Sequence, residues 1–215
     1  MAPLADESVG THCPDRGLNR SQAALKRGLD VIGSSIGLLL TCWLIALAWL
    51  VATADTRANG FFTQERVGRY GRRFSVVKLR TMRVDPAMST TVTTASDARI
   101  TPVGRLLRRA KLDELPQLIN VLKGDMSFVG PRPDVPGFAD TLEGEDRIIL
   151  TVRPGITGPA TLKYRDEEAL LAGADDPEAY NRDVIYPDKV RINREYVENW
   201  SFRRDLRYIW RTVAG

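Results

Sequence analysis

The sequence is poor in the residues that most often carry catalysis and metal binding. His12 is the only histidine in 215 residues, and Cys13 and Cys42 are the only cysteines. A single histidine in a polar N-terminal stretch argues against a Ser-His-Asp triad and against a histidine-ligated zinc site. The two cysteines form neither a disulfide framework nor a metal-binding pattern, which is typical of a chain that faces the cytosol. Any general base must therefore be a carboxylate or a lysine.

Glycine-rich nucleotide motifs and internal repeats are also missing. The chain contains no Gly-x-Gly-x-x-Gly sequence and no Walker sequence.

The length of the chain suits one domain with a core of its own. The net charge is +4, and arginine outnumbers lysine. This ratio favours the recognition of phosphate or carboxylate groups by paired hydrogen bonds.

One apolar run stands out near the N-terminus. Residues 31–54 contain no charged side chain, and as a helix they would reach roughly the hydrocarbon thickness of a bilayer. The residues before it are polar, with scattered glycine and proline. We therefore divide the chain into a disordered leader (1–20), a membrane-anchoring helix (21–57) and a cytoplasmic catalytic domain (58–215).

Three interpretations of the apolar run can be compared. Its Ala52-Thr53-Ala54 ending resembles a signal-peptide cleavage site, but the run is long for a signal peptide and begins far from Met1. A spanning helix would place one flank outside, whereas arginine and lysine flank both ends and oppose crossing. A re-entrant helix would keep both ends on the cytoplasmic face but needs a bend. Thr41 is the candidate, because its hydroxyl can bond to a backbone carbonyl. The sequence leaves the spanning and the re-entrant interpretations open.

Two adjacent carboxylates, Asp113 and Glu114, lie between two predicted helices. Thr101-Pro102 can start an arginine-rich helix before them, and Gly124 can end an apolar helix after them. Asp113 could simply cap the second helix, with Glu114 in its first turn. Alternatively, the nearby arginines and the helix dipole keep a carboxylate ionised as a nucleophile or metal ligand toward a phosphate-bearing substrate. The two interpretations are compatible.

Alternating apolar and polar residues predict a β-hairpin that precedes the acidic pair. Its strands, 61–67 and 74–80, would be joined by a basic turn that contains glycine. The second strand would present Lys78 and Arg80 on one face, where they could bind substrate or simply face water. Serine and threonine dominate residues 88–97, which predicts a mobile loop.

The C-terminal third contains two further basic segments. The loop that begins Arg153-Pro154-Gly155 could line a phosphate or sugar pocket, or could be only a tight connection. The acidic stretch 166–180 predicts a solvated helix and loop without chemistry. Residues 188–213 combine an apolar stripe with arginines at four-residue spacing, so this helical segment could lie on an anionic membrane or pack on the core.

Together these motifs resemble those of the bacterial sugar transferases, the monotopic polyprenyl-phosphate phosphoglycosyl transferases. They occur in order and at family spacing from about Gln22 to the C-terminus, and their combination is specific. The matching motifs are Lys26-Arg27-x-x-Asp30, Phe62-Thr63-Gln64-Glu65-Arg66-Val67-Gly68, Lys78-x-Arg80-Thr81-Met82, Leu112-Asp113-Glu114-Leu115-Pro116-Gln117, Gly130-Pro131-Arg132-Pro133 and Arg153-Pro154-Gly155-Ile156-Thr157-Gly158.

The resemblance implies a compact mixed α/β catalytic domain with an N-terminal membrane-embedded, re-entrant helix and interfacial amphipathic helices. It implies transfer of a sugar-1-phosphate from a UDP-sugar to polyprenyl (undecaprenyl) phosphate, with release of UMP and with Mg²⁺ as cofactor. Such an enzyme would work among membrane lipids on the cytoplasmic face of the bacterial inner membrane. It would start a surface glycan or glycoconjugate, hand its product to downstream glycosyltransferases, and bind no nucleic acid.

The family pattern also implies roles for individual residues. Asp113 corresponds to the nucleophile that forms a covalent phosphosugar intermediate, and Glu114 lies beside it, with both expected at the metal. Two departures are visible: Cys42-Trp43 replaces the family's Ser-Pro break in the apolar run, and only Arg165 remains of a Trp-x-Gln-Val-x-Gly-Arg motif. The expected phosphate contacts are Lys78, Arg80, Arg108, Arg132, Arg153 and Arg165.

A second hypothesis comes from a different class of protein. The arginine clusters would suit a membrane-anchored module that binds anionic lipid or nucleic acid and turns nothing over. That hypothesis gives no reason for two carboxylates beside a basic helix.

Overall fold

The computed structural model describes residues 17–83 and 97–215. Nearly all of the predicted leader and of the predicted mobile loop therefore lies outside the described residues. The described helices are α1 (Arg20–Thr56), α2 (Pro102–Arg109), α3 (Gln117–Lys123), α4 (Pro159–Lys163), α5 (Glu167–Ala172), α6 (Pro177–Tyr180), α7 (Tyr186–Glu198) and α8 (Phe202–Val213). The described strands are β1 (Phe61–Val67), β2 (Arg73–Leu79), β3 (Ser127–Val129) and β4 (Gly155–Thr157).

The strands form two small sheets, and the mixed α/β prediction is confirmed. β1 and β2 make the predicted antiparallel hairpin, with Phe61 opposite Leu79. β3 and β4 pair in parallel and bring the Gly130 and Gly155 backbones together. A Cβ added at Gly155 would lie 2.1 Å from the Gly130 nitrogen, so only glycine fits there.

Helix α1 is the longest element and begins with a capping box. The Asn19 side chain accepts a hydrogen bond from the Gln22 backbone, and the Gln22 side chain accepts one from the Asn19 backbone. The helix then continues for 37 residues and, by length and composition, could cross a membrane. Thr41 donates to the Gly37 carbonyl at 2.7 Å, as predicted, but the helical assignment continues through it.

One face of α1 packs on the rest of the protein in both the first and the last part of the helix. Its buried positions recur at multiples of about three and a half residues, which places them on a single stripe. They are Lys26, Asp30, Ser34, Ile45, Ala48, Ala52 and Thr56. The other side is apolar and exposed, and it includes Ile32, Ile36, Leu39, Leu40, Trp43, Leu47, Leu50 and Val51.

The first third of α1 is tied to the domain by polar contacts. Arg27 donates from its two terminal nitrogens to the carbonyls of Val121 and Leu122, each at 2.7 Å. These carbonyls belong to the last turn of α3, where a cation is favoured. The Asp30 carboxylate accepts from the Ser127 hydroxyl at 2.9 Å and from the Phe128 backbone N–H at 3.0 Å. Arg27 thus holds α3, and Asp30 holds β3.

A buried ion pair joins α1 to the C-terminal helices. Lys26 donates to the Asp205 carboxylate at 2.5 Å, and both side chains are almost fully buried. Asp205 also accepts from the Tyr196 hydroxyl at 2.7 Å and from the Trp200 indole at 3.0 Å. The donors to this carboxylate therefore come from α1, from α7 and from the turn between α7 and α8.

The helical segment predicted for residues 188–213 is two helices. Ser201 caps α8 by accepting from the Arg204 backbone, and Trp200 turns into the core next to Asp205. The main core lies beneath α7 and the 3₁₀ segment Gly144–Thr151, and α8 packs on its edge. Its buried members are Val67, Val129, Ala139, Ile148, Ile149, Leu150, Val152, Val190, Tyr196, Val197 and Trp200.

We predict that Asp205→Asn strongly destabilises the protein. The substitution removes the ion-pair partner of the buried Lys26 ammonium, and breaking a buried pair in this way typically costs about 3–5 kcal/mol. Denaturant unfolding in neutral detergent measures the change. Asp183→Asn is the matched control, because Asp183 pairs with Arg182 on the open surface and its loss should leave the midpoint unchanged. Equal midpoints for the two variants would contradict the importance of the buried pair.

Candidate active site

The acidic pair lies in a 3₁₀ turn, Leu112–Glu114, between α2 and α3. Thr101 caps α2 through the Gly104 N–H at 2.8 Å, and α3 ends at Gly124 with φ of 96°, as predicted. Lys111 reverses the chain ahead of the turn in a left-handed conformation with φ of 56°. This conformation is uncommon for a residue other than glycine and is often found at functional sites.

Asp113 does not cap α3, so that prediction is wrong. The helix begins at Gln117 after Pro116, and no side chain caps it. Asp113 lies in the preceding turn instead, because the rigid Pro116 separates the two elements. Its Oδ1 atom is buried and has no hydrogen-bond partner among the described residues. A buried carboxylate oxygen without a donor is costly in a folded protein and calls for a functional explanation.

Glu114, in contrast, is held by two cations. Arg132 donates to its Oε1 atom at 2.6 Å, and the Lys78 ammonium lies 3.3 Å from the same oxygen. Arg132 comes from the proline-flanked loop after β3, and Lys78 comes from β2. Burial acts in the opposite direction, but the charges of Arg132 and Lys78 hold the pKa of Glu114 far below its usual range. Glu114 is therefore an ionised anchor for both cations.

The two carboxyls differ in their electrostatics. Burial, together with the neighbouring charge of Glu114, raises the pKa of Asp113, and Lys78 and Arg108 offset only part of this effect. The nearby cations thus lower the pKa of both carboxyls, as expected, but for Asp113 their effect is smaller than that of burial and of Glu114. Burial and the charge of Arg132 also lower the pKa of Lys78. The side chains of Lys78 and Glu114 are largely removed from solvent, so charges act strongly on one another there.

The side chain of a third cation, Arg108, also lies near the pair. It donates from Nε to the Thr81 hydroxyl at 3.0 Å, and its charge acts on Asp113. The structure thus brings Lys78, Arg108 and Arg132 together around the acidic pair, as the sequence predicts.

The other three predicted phosphate contacts have partners elsewhere. Arg80 donates to the Asn59 carbonyl at 2.7 Å, Arg153 donates to the Gly124 carbonyl at 2.7 Å, and Arg165 donates to the Arg211 carbonyl at 3.2 Å. None of these contacts includes the acidic pair. Their roles toward substrate remain predictions.

Sequence reasoning missed two residues that shape the site. The buried Asn120 on α3 accepts from the Val77 N–H at 3.0 Å and donates to the Ser75 carbonyl at 2.8 Å, which fixes β2 beside α3. Asp134 follows the Arg132 loop, and burial raises its pKa to about 6 in spite of the nearby Lys189. Neither residue stands in a pattern that marks it in the sequence.

The donor set can be compared with the needs of Mg²⁺. Among residues 17–83 and 97–215, no group of three or more metal-ligating side chains is present. Mg²⁺ nevertheless often binds through one or two carboxylates and the phosphates of a substrate. The buried, unpartnered Oδ1 of Asp113 fits that mode, whereas Oε1 of Glu114 is already occupied by cations. The expected magnesium therefore remains a prediction that the donor set accommodates.

Comparison with known proteins gives a consistent assignment. The family profile described as "Bacterial sugar transferase" matches residues 21–215. The chain is 32% identical to "Exopolysaccharide production protein ExoY" of Rhizobium meliloti, over 88% of the chain and 84% of that protein. It is 35% identical to "UDP-glucose:undecaprenyl-phosphate glucose-1-phosphate transferase" of Caulobacter vibrioides, over 88% of the chain and 68% of that protein. It is 32% identical to "Undecaprenyl-phosphate galactose phosphotransferase" of Salmonella typhimurium, over 90% of the chain but only 40% of that protein.

The opposite pKa directions of the two carboxyls predict opposite effects on stability. Because the folded-state pKa of Asp113 is raised, folding at neutral pH pays for an ionised buried carboxylate, so Asp113→Asn should raise the unfolding midpoint there. This gain should shrink as the pH falls and vanish below about pH 4, where the unfolded chain is protonated too.

Glu114→Gln is the contrasting variant. The folded-state pKa of Glu114 is lowered, so its stabilising contribution is present at neutral pH and is lost as the pH falls. Glu114→Gln should therefore lower the midpoint at neutral pH. Thermal unfolding of both variants between pH 4 and pH 8 tests the pair, and shifts of the same sign at pH 7 would refute this electrostatic assignment.

Proposed function

The chain belongs to the bacterial sugar transferase family, and on that premise we propose that it transfers a sugar-1-phosphate from a UDP-sugar to polyprenyl phosphate. The products would be a polyprenyl-diphosphate-sugar and UMP. The observation that carries the proposal is the buried, unpartnered Oδ1 of Asp113 beside Lys78, Arg108 and Arg132. No protein donor occupies this oxygen, so it is available as a nucleophile, and the cations beside it can donate hydrogen bonds to phosphate oxygens.

The first step of the proposed reaction is nucleophilic attack by Asp113. Its carboxylate oxygen bonds to the phosphorus that carries the sugar, and the bond from that phosphorus to the oxygen bridging the two phosphates breaks. UMP leaves with the electron pair, and an acyl phosphosugar remains on Asp113. In the second step an oxygen of polyprenyl phosphate attacks the same phosphorus and releases the Asp113 carboxylate. Two easier displacements replace one direct reaction between two anions.

The surrounding residues divide the remaining work. Glu114 orients Arg132 and Lys78 through its ion pairs, and these cations lie where phosphate oxygens would develop charge. Arg108 approaches Asp113 from the α2 side. Asp113 would hold a Mg²⁺ ion together with substrate phosphates, and the ion would supply further positive charge toward the phosphoryl oxygens.

The non-catalytic alternative explains fewer observations. A basic module that only binds anionic lipid or nucleic acid needs no buried carboxylate with a raised pKa. Two of the relatives described above are also named for sugar-phosphate transfer to undecaprenyl phosphate. We therefore retain the enzyme and expect its lipid-linked product to be elongated by glycosyltransferases.

We further propose that α1 is re-entrant and that the catalytic domain faces the cytoplasm at the inner membrane. The packed stripe keeps residues near both ends of α1, such as Lys26 and Ala52, against the same domain, which opposes a straight crossing. At mid-helix, Thr41, Cys42 and Trp43 each direct a side-chain donor to a carbonyl of the preceding turn. Such bonds can satisfy carbonyls that open where a helix bends in lipid.

Asp113→Asn should abolish turnover and the covalent intermediate. The amide keeps the shape of the side chain but cannot act as an anionic nucleophile, so the rate should fall at least about a thousandfold. UMP release and lipid-linked product are measured with a panel of UDP-sugars and undecaprenyl phosphate, with and without EDTA. Donor alone should add a phosphosugar mass to the peptide that contains Asp113.

Asp175→Asn, on the exposed segment after α5, is the matched control and should behave as the wild type. Product formation without a mass adduct at Asp113 would indicate direct displacement instead. No product from any donor would overturn the proposed activity.

The topology predicts that both ends of α1 are inaccessible from outside. Ser21→Cys and Ala58→Cys are introduced separately into a background that lacks Cys13 and Cys42. Spheroplasts are then treated with a membrane-impermeant thiol reagent before and after permeabilisation. Both sites should react only after permeabilisation. Reaction of the Ser21 site in sealed spheroplasts would show a spanning helix and would leave the proposed chemistry intact.

A further inference from the structure

A second group of arginines lies apart from the acidic pair. Arg153 donates from Nε to the Gly124 carbonyl at 2.7 Å, and Arg27 closes on the same residue, since a Cβ added at Gly124 would lie 3.4 Å from its guanidinium carbon. Arg69, in the hairpin turn, donates from Nε to the Thr151 carbonyl at 2.7 Å. The group, here called the arginine cluster, consists of Arg27, Arg69 and Arg153.

The cluster has unused hydrogen-bonding capacity. Arg27 spends both terminal nitrogens on carbonyls, but Arg69 and Arg153 each use only Nε within the part of the chain that the structure describes. Four N–H donors of each guanidinium therefore have no protein acceptor there. The nearby Asp30 carboxylate accepts no hydrogen bond from any of the three arginines: its Oδ1 atom accepts from Ser127 and Phe128, and its Oδ2 atom is buried without a partner among the described residues.

The three positive charges also repel one another. Burial, followed by the charges of Arg69 and Arg27, lowers the pKa of Arg153. Within the described ranges, Asp30 is the one carboxylate whose charge acts on Arg153 in the opposite direction, so three positive charges face a single negative one. Partly buried like charges are unfavourable in this situation, and a further anion with several acceptor oxygens would stabilise the arrangement.

The position of the cluster indicates where that anion lies. Arg27 precedes the apolar run 31–54 by one helical turn, about 6 Å along the axis, which is the depth at which lipid headgroups begin. Tyr70, which follows Arg69 in the hairpin turn, is half exposed, and the Arg69 guanidinium lies 4.4 Å from the centre of its ring. Tyrosine and arginine together are typical of the membrane–water interface.

We propose that the arginine cluster is a second phosphate-binding site, which holds the phosphate of an anionic lipid in the headgroup layer. The terminal nitrogens of Arg69 and Arg153 would bind its oxygens in paired fashion, while Arg27 contributes charge from α1. The site is separate from the catalytic one, because its contacts are with Gly124 and Thr151 and none is with Glu114. The proposal assigns Arg153 to this site and does not depend on the proposed reaction.

Native mass spectrometry of the purified protein in neutral detergent can test the site. Phosphatidylglycerol and phosphatidylcholine are added at equal concentration, and bound lipid is counted. The wild type should retain one phosphatidylglycerol in preference to phosphatidylcholine. In the double variant Arg69→Gln/Arg153→Gln the affinity for phosphatidylglycerol should fall at least about tenfold, as expected for the loss of charge-assisted contacts. Arg182→Gln/Arg191→Gln removes the same charge from exposed pairs and should bind as the wild type.

A second pair of variants keeps every arginine and so avoids loss of the Thr151 and Gly124 contacts. Tyr70→Glu places a carboxylate beside Arg69, where it competes with a bound phosphate, and Tyr70→Gln is the neutral control at the same backbone conformation. Binding of phosphatidylglycerol should be weaker in Tyr70→Glu than in Tyr70→Gln. Equal binding in all variants, or equal retention of the two phospholipids by the wild type, would overturn the proposal.

Two further measurements identify the source of the phosphate and isolate the site from catalysis. If undecaprenyl phosphate displaces phosphatidylglycerol from the wild type, the site takes the acceptor lipid; if phosphatidylglycerol stays bound, it takes bulk lipid. Asp113→Asn should bind phosphatidylglycerol as the wild type does, even though it should be inactive. Loss of lipid binding in Asp113→Asn would show that the bound lipid occupies the catalytic site and would refute a separate one.

Discussion

The contacts of one stretch of α1 with three separate elements hold the whole arrangement together. Lys26 reaches Asp205 on α8, Arg27 caps the last turn of α3, and Asp30 accepts from β3. The acidic pair precedes α3, and the loop that carries Arg132 follows β3. A helix whose outer face is apolar is therefore also the part that fixes the distance between these two pieces of the site. A shift of α1 would therefore move both the acidic pair and the loop that carries Arg132.

The neighbouring carboxyls of the site show how burial and charge separate two similar groups. Glu114 has two cations within reach of one oxygen and remains an anion at any ordinary pH. Its charge in turn helps to raise the pKa of Asp113, whose Oδ1 has no donor. Glu114 thus stabilises the site, whereas Asp113 has a buried oxygen without a hydrogen-bond donor, which is unfavourable for folding. Pairs of titratable groups with diverging pKa values are typical of catalytic centres.

Local signals in the sequence predicted local structure well. Thr101 caps α2, Gly124 ends α3, and the hairpin forms as its alternation indicates, because each depends on a few adjacent residues. The contacts of long side chains were harder to predict from the sequence. Arg80 and Arg153 stand in motifs that suggest phosphate binding, but the sequence does not show which group each one contacts, because each bonds to a backbone carbonyl whose position depends on tertiary packing. The break at Ser201 escaped for a related reason, since the Asp205 partner that draws Trp200 inward is visible only in three dimensions.

The charge balance of the site bears on the cofactor that the proposed reaction would use. Lys78, Arg108, Lys111 and Arg132 bring four positive charges that act on the pair, and Asp113 and Glu114 bring two negative ones, which leaves two positive charges when both are ionised. A donor diphosphate alone carries about two negative charges, and an acceptor phosphate adds more. The arginine cluster at Gly124 does not hydrogen-bond to the acidic pair, so its charges are not counted in this balance. The charges of donor and acceptor together would therefore exceed those of the cations at the pair, which is consistent with the proposed Mg²⁺ ion, and the buried unpartnered oxygen of Asp113 is the position where that ion would be held.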